Sequence, residues 1–258
     1  MIPALAAAAS FLIVAMSFAW IVQRRSGNSG WIDTIWSFSV GVASLVALWL
    51  LPSDVARRVL IAALVALWSA RLGAHIFSRT RRGKDDPRYA QLMAEWGAAA
   101  PRRLFWFLQA QALAGVVLVL AVALAASSAG PALTPGAALL AALALFALVG
   151  EAVADAQLAA CKRRKPANGI CETGLWAWSR HPNYFCEWLF WTAIAGLAVA
   201  PPAGMASWLA VAAPAMMYVL LRHGSGVPHL EAHMRRTRPE AFAAYAARVP
   251  AFFPKFRR

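Results

Sequence analysis

This sequence predicts an all-α, polytopic membrane protein with seven transmembrane helices, and three observations predict it. Hydrophobic residues make up 61% of the 258, where a soluble domain holds roughly half. The mean hydropathy is +0.57. Of the 25 Lys and Arg residues, 22 fall into four segments separated by apolar runs.

Apolar runs near the length a helix needs to cross a bilayer cover 3–22, 31–51, 56–78, 104–126, 133–157, 184–200 and 205–223. The first, within "MIPALAAAASFLIVAMSFAWIVQRR", has no basic residues ahead of it. It is therefore expected as a retained helix and not a cleaved leader. The sixth is short and spans only if the chain enters the membrane near Tyr184. "AASSAGPALTPG" (125–136) reads as the turn between the fourth and fifth runs, and Pro201-Pro202 with Gly204 as the turn into the seventh. No polar stretch is long enough for a separate soluble domain, so residues 1–258 are expected as one membrane domain.

The basic segments 23–30, 79–103, 158–183 and 222–258 carry 2, 7, 5 and 8 Lys and Arg residues. They share one side of the membrane only if the number of spans is odd. The positive-inside rule then puts the N-terminus outside and the C-terminus in the cytosol. A net charge of +14 is thus explained by orientation, and no nucleic-acid or protein partner is implied. The expected partners are membrane lipid and a hydrophobic small molecule, in a bacterial inner membrane or its equivalent. Two basic segments are expected to fold as short surface helices: one ending before Pro101, the other carrying Phe242 and Tyr245 at helical spacing.

Four of the eleven acids, Asp33, Glu151, Asp155 and Glu187, lie inside or at the edge of spans. A charge at bilayer depth costs about 2.5–3.5 kcal/mol on insertion scales, so each should face a partner or a wet cavity. Pairing with Arg71 or with loop arginines is the purely structural alternative. Glu151 and Asp155, four apart, share a helix face. The stretch "GLWAWSRHPNYFCEW" (174–188) places Arg180, His181, Asn183, Tyr184 and Glu187 at the entrance of the sixth run. If that helix starts near Pro182, Asn183 and Glu187 sit one turn apart on one face. Upstream, "CKRRKPANG" supplies cations, which suit either phosphate or an anionic lipid surface. Cys161, Cys171 and Cys186 lack metal-ligand spacing. His229 and His233 lack the H-E-x-x-H context, and no metal is expected. There is no G-x-G-x-x-G and no P-loop, so any nucleotide would be held by other means.

"GLWAWSRHPNYFCEW" resembles the signature of the membrane steroid 5α-reductases, their bacterial relatives and the related sterol reductases. Three further blocks fit in order. "DAQLAACKRRKPANG" is similar to the stretch preceding that signature, "RTRRGKDDPRY" to the family's basic loop, and the tail from "PHLEAHMRRTRPEAF" to "FFP" to the family's ending. "WIDTIWSF" fits the bacterial branch. The resemblance implies a seven-helix fold whose cavity opens to the cytosol and holds NADPH. It implies reduction of a carbon–carbon double bond conjugated to a ketone, as in a 3-oxo-Δ4-steroid. Carried over by position, Asp155, Arg164, Asn183 and Glu187 would contact NADPH. Arg79 and Arg82 would hold its phosphate, and Glu231 would lie in the covering tail. Asn168, Arg180, His181 and Tyr184 are adjacent candidates. The steroid enzymes polarise the ketone with a Glu and a Tyr. Here the second span has no Gln-Glu pair, and the Tyr position reads as Trp68. The expected acid is Asp33, its pKa raised by burial, with Trp36 and Trp68 as substrate walls.

Part of the signature is shared with membrane methyltransferases of the isoprenylcysteine carboxyl methyltransferase type, which use S-adenosylmethionine. The basic loop from Arg79 to Arg88 and "KRRKP" favour a cofactor with phosphates, which S-adenosylmethionine lacks. A non-catalytic lipid-binding or transport role fits the basic face but not the mixed cluster at 180–187.

Overall fold

A computed structural model describes residues 1–83, 85–128, 134–166, 168–200 and 204–255. Its ten α-helices among these residues are α1 (Ile2–Ser26), α2 (Gly30–Leu50), α3 (Val55–Thr80), α4 (Pro87–Trp96), α5 (Ala100–Ser127), α6 (Pro135–Arg164), α7 (Pro182–Val199), α8 (Ala212–Arg222), α9 (Val227–Thr237) and α10 (Pro239–Arg248). Tighter 3₁₀ turns cover Gly97–Ala99, Gly174–Ala177 and Met205–Val211. The expected runs and short surface helices all fall on these elements. The turn at Pro201-Pro202 and the middle of the 125–136 turn lie outside the described residues.

Six helical stretches among the described residues are long and apolar enough to cross a membrane: Ile2–Ser26, Gly30–Leu50, Val55–Thr80, Pro87–Ser127, Pro135–Arg164 and Met205–Thr237. The protein is therefore an integral, multi-pass, all-α membrane protein. The sixth expected span, α7, is not in that set. Its 18 residues begin Pro-Asn-Tyr and include Glu187, which lowers its hydropathy.

The helix ends follow local chemistry. The Asp54 carboxylate accepts from the Arg57 amide and starts α3. Asp86 accepts from the Arg88 amide, with Pro87 in the first turn, and starts α4. A cap of this kind contributes about 1 kcal/mol.

The chain divides into two compact units. The first comprises Met1–Ala141 and Ile194–Ala213. Here α1 buries a stripe of Ala4, Ala8, Leu12, Met16 and Ala19 and leaves Ile13, Val14 and Phe18 exposed, as a lipid-facing helix does. α1, α2, α3 and α5 pack on one another. Small residues set the spacing, because close backbone approach replaces the missing hydrophobic drive within lipid. At Gly41, a Cβ would run into the Ser69 side chain, whose hydroxyl donates to the Ser37 carbonyl (3.0 Å).

The second unit comprises Ala142–Ala193 and the chain from Pro214. Ile170, Phe242, Tyr245 and Val249 form one buried cluster. The Tyr245 hydroxyl donates to the Trp176 carbonyl (2.6 Å), and burial pushes its pKa up. The tail runs beside residues 178–180: the Lys255 amide donates to the Trp178 carbonyl and the Arg180 amide to the Pro250 carbonyl, both at 2.9 Å. Gly174 adopts φ +64, and a Cβ there would strike the Gln157 amide. That amide accepts from the Leu175 N–H (2.9 Å) and turns the chain into the 174–188 stretch.

Candidate functional site

In the first unit the polar residues gather at Asp33, in the first turn of α2. Arg88 Nη2 donates to Asp33 Oδ2 (2.5 Å), and the Tyr89 hydroxyl donates to Oδ1 (2.7 Å). Gln111 Nε2, on α5, donates to the same hydroxyl (2.8 Å). Trp36 Nε1 donates to the Gln111 carbonyl (3.0 Å), and its ring meets Trp68 edge-on at 6.3 Å. Arg88 also binds Asp86 through Nε and Nη2 (3.0 Å each), and Arg79 binds Asp86 from the other side (2.8 Å). Burial alone would raise the Asp86 pKa, but the Arg88 hydrogen bonds and the charges of Arg88 and Arg79 bring it below the usual carboxylate value. Asp85 accepts from Ser29. Asp85 and Asp86 are thereby tied to the start of α2.

In the second unit α7 begins at Pro182, as expected. Asn183 Nδ2 donates to Asp155 Oδ1 (3.2 Å). Trp191 Nε1 donates to Glu187 Oε1 (2.9 Å). Glu151, Asp155 and Glu187 are all buried. Arg180 sends Nε and Nη2 to Glu231 Oε1 (2.8 and 2.7 Å) and Nη1 to the Val249 carbonyl (2.5 Å). Arg235 holds the other Glu231 oxygen (2.9 Å). His181 Nε2 lies 3.3 Å from Glu231 Oε1, and its ring stacks on Tyr184 at 5.6 Å. Burial holds the His181 pKa below its ordinary value despite Glu231, and Arg180 adds to the depression.

The structure thus joins Asn183 to Asp155 and Arg180 to His181 and Glu231. Arg180 spends its guanidinium on Glu231 and on tail carbonyls, so its first task is anchoring the tail. Arg82 and Arg164 are exposed, and Asn168 is exposed with its amide on Glu172 (2.9 Å). Trp68 is fully buried. Asp33, the expected acid, is engaged by two donors: Arg88 and Tyr89 both donate to it. That is the structural alternative of pairing with a loop arginine, extended by a phenol.

Tyr89, Arg88 and Gln111 were not singled out in the sequence. Signals for them exist. Asp86-Pro87 is a cap followed by a first-turn proline, which places Arg88 and Tyr89 in one helical turn. Gln111, like Gln109, is an amide inside a mostly apolar run, where polar residues mark function or a partner.

Residues 19–249 match the model of the family described as "Protein of unknown function (DUF1295)". No curated protein and no solved structure matches the chain.

Proposed function

The chain belongs to the DUF1295 family, and from that premise we propose that it is an NADPH-dependent reductase of a conjugated carbon–carbon double bond in a flat lipid enone, for which a 3-oxo-Δ4-steroid is the trial substrate. The observation that carries this reading is the carboxylate–phenol pair of Asp33 and Tyr89. A ketone-polarising site needs a hydroxyl donor held in place, and the sequence pattern had left the phenol without a position.

The cofactor fits the donor set of the second unit. Asn183, Asp155 and Glu187 offer a side-chain amide and carboxylates of the kind that take ribose hydroxyls or a carboxamide, and Arg164 in the last turn of α6 offers phosphate a charge. Bound NADPH supplies a hydride for the β-carbon of the enone. The chain's own part is to meet the negative charge that then builds on the carbonyl oxygen. Both Asp33 oxygens are accepting, so the donor in the pair is the Tyr89 hydroxyl. It turns from Asp33 to the ketone oxygen, while Gln111 Nε2 keeps the phenol oxygen in place and Arg88 keeps Asp33 compensated. One proton is taken up at the α-carbon, and the product is the saturated ketone. Seven spans, with α7 as the short one, an N-terminus outside and a cavity open to the cytosol belong to the same proposal.

The test is turnover. Full-length protein in detergent, given NADPH and a 3-oxo-Δ4-steroid, oxidises NADPH as the saturated ketone forms. Exclusive use of S-adenosylmethionine in its place overturns the reading.

A further inference from the structure

Two cysteines of the second unit meet at the end of α6, and what they can do is independent of the proposed reductase chemistry. Cys161 lies in the last turn of α6, which ends at Arg164. Beyond it, Lys165 takes φ 50 and Gly169 φ 68, left-handed conformations that reverse the chain. The Gly169 amide donates to the Pro166 carbonyl (2.8 Å), and Cys171 follows on the return path.

That path runs along one face of α6. Trp176 Nε1 donates to the Ala154 carbonyl and the Leu175 amide to the Gln157 side chain, both at 2.9 Å. Ala154, Gln157 and Cys161 are spaced by three and four, which stacks them on one helix face. Trp176 and Leu175 take the first two positions, and the chain that leads to them runs antiparallel to α6, which brings Cys171 to the third. The two sulfurs are neighbours: after burial, Cys161 is the largest influence on the Cys171 thiol, and Thr173 bears on the same sulfur through its amide and its hydroxyl.

The two thiols differ in access. Cys161 is partly exposed, whereas Cys171 is 8% exposed. Burial and the adjoining Cys161 push the Cys171 thiol up to about 11, so it keeps its proton at neutral pH. A water-borne reagent therefore meets Cys161 first. The third cysteine, Cys186, is buried in α7.

We propose that Cys161 and Cys171 are a reversible redox modification site, with Cys161 as the entry thiol, Cys171 as the resolving thiol and a low-molecular-weight disulfide as the oxidant. The Cys161 thiolate attacks one sulfur of the oxidant, forms a mixed disulfide and releases the first small thiol. With Cys161 in that bond its charge is gone, and with it part of what holds the Cys171 proton. Cys171 gives its proton to water, attacks the Cys161 sulfur and expels the second small thiol. Two protein thiols are oxidised to one disulfide, and the oxidant is reduced to two thiols. The new bond staples the end of α6, with Arg164 in its last turn, to the segment that leads into 174–188.

The test is thiol chemistry on full-length protein in detergent, reduced, freed of reductant and treated with oxidised glutathione. The intact mass is expected to fall by about 2 Da, the two hydrogens lost on closure. Trypsin cuts after Lys162, Arg163 and Arg164, between the two cysteines, so the bond is read as a cross-linked peptide pair that dithiothreitol separates. Cys186 is expected to stay reduced. Cys171→Ser is expected to stop at the mixed disulfide, with one glutathione on Cys161, and Cys161→Ser to leave Cys171 unmodified. The wild-type measurement needs no substitution, so a variant that fails to fold leaves the test standing. A glutathione adduct that persists on wild-type Cys161 overturns the proposal, as does a bond to Cys186 or to a second chain, or a pair that stays reduced. Modification of Cys171 in Cys161→Ser overturns the assigned order.

Discussion

The Tyr89 hydroxyl donates to Asp33 Oδ1 across 2.7 Å, joining the first turn of α4 to the first turn of α2 over a sequence separation of 56 residues. The phenol has one proton and gives it to Asp33, while its oxygen accepts from Gln111. In this state the pair is closed on itself, and a ketone must compete with Asp33 for the proton. Tyr89→Phe keeps the ring and its edge-on contact with Phe107 (6.2 Å) but deletes the donor. It is expected to lower kcat about 100-fold and to leave NADPH affinity unchanged, as measured by steady-state turnover and cofactor titration.

Asp33→Asn tests the same pair from the acceptor side. An amide can still accept from Tyr89 but gives Arg88 a neutral partner. Turnover is expected to fall about tenfold, with KM for NADPH unaffected. A loss of cofactor affinity with turnover per bound complex preserved would move Asp33 out of the catalytic pair.

Arg88 holds Asp33 and Asp86 together, and its side chain is only 20% exposed. Arg88→Leu takes the shared cation from two carboxylates, one of them almost fully buried, and leaves Asp86 with Arg79 and Asp33 with Tyr89. Removing one partner of a fully buried pair costs roughly 3–5 kcal/mol, and partial exposure brings the expectation down to about 2 kcal/mol. The check is the thermal midpoint in detergent, and acid makes it sharper. The Asp86 pKa is lowered in the fold, so its contribution is full above its ordinary value of 3.8 and is lost as pH falls through the folded value. The gap between wild type and Arg88→Leu should therefore narrow at low pH.

Much of this was legible in the sequence, and the remainder has physical reasons. Every expected apolar run became a helix, because runs of that length need internally bonded backbone. The start of α7 at Pro182, and Asn183 four residues from Glu187, followed from the position of one proline. Tyr89 was missed because its partner is 56 residues away: the Asp86-Pro87 cap places it in a helical turn but does not say what its hydroxyl meets. Arg180 reads only as a candidate beside the cofactor contacts, because a sequence reports charge but not how donors are spent. The tail carbonyls of Ala246 and Val249 that occupy its Nη1 are ordinary backbone groups to any reading of residue types.

His181 gives a pH signature. It is buried beside Arg180, and its pKa is below the ordinary 6.5, so the folded state favours the neutral ring. The unfolded chain then binds the proton first on acidification. The stabilisation is present above pH 6.5 and is lost as pH falls toward the folded value. Wild type should lose thermal stability across that window, and His181→Gln should flatten the slope.

Glu231 is the hub of the tail, receiving Arg180, His181 and Arg235. Glu231→Leu leaves Arg180 without its carboxylate and is expected to cost about 3 kcal/mol. Faster proteolysis after Thr237 would report the loosened tail, and unchanged cleavage would argue against the anchoring role.

The central claim is that this chain reduces a conjugated double bond with NADPH through Tyr89. Its most direct test is product analysis of the purified full-length protein with NADPH and a 3-oxo-Δ4-steroid, run beside Tyr89→Phe. The account predicts saturated ketone formed mole for mole with NADPH oxidised, and about 100-fold less in the variant. No NADPH oxidation by the wild type, or equal turnover by Tyr89→Phe, would contradict it.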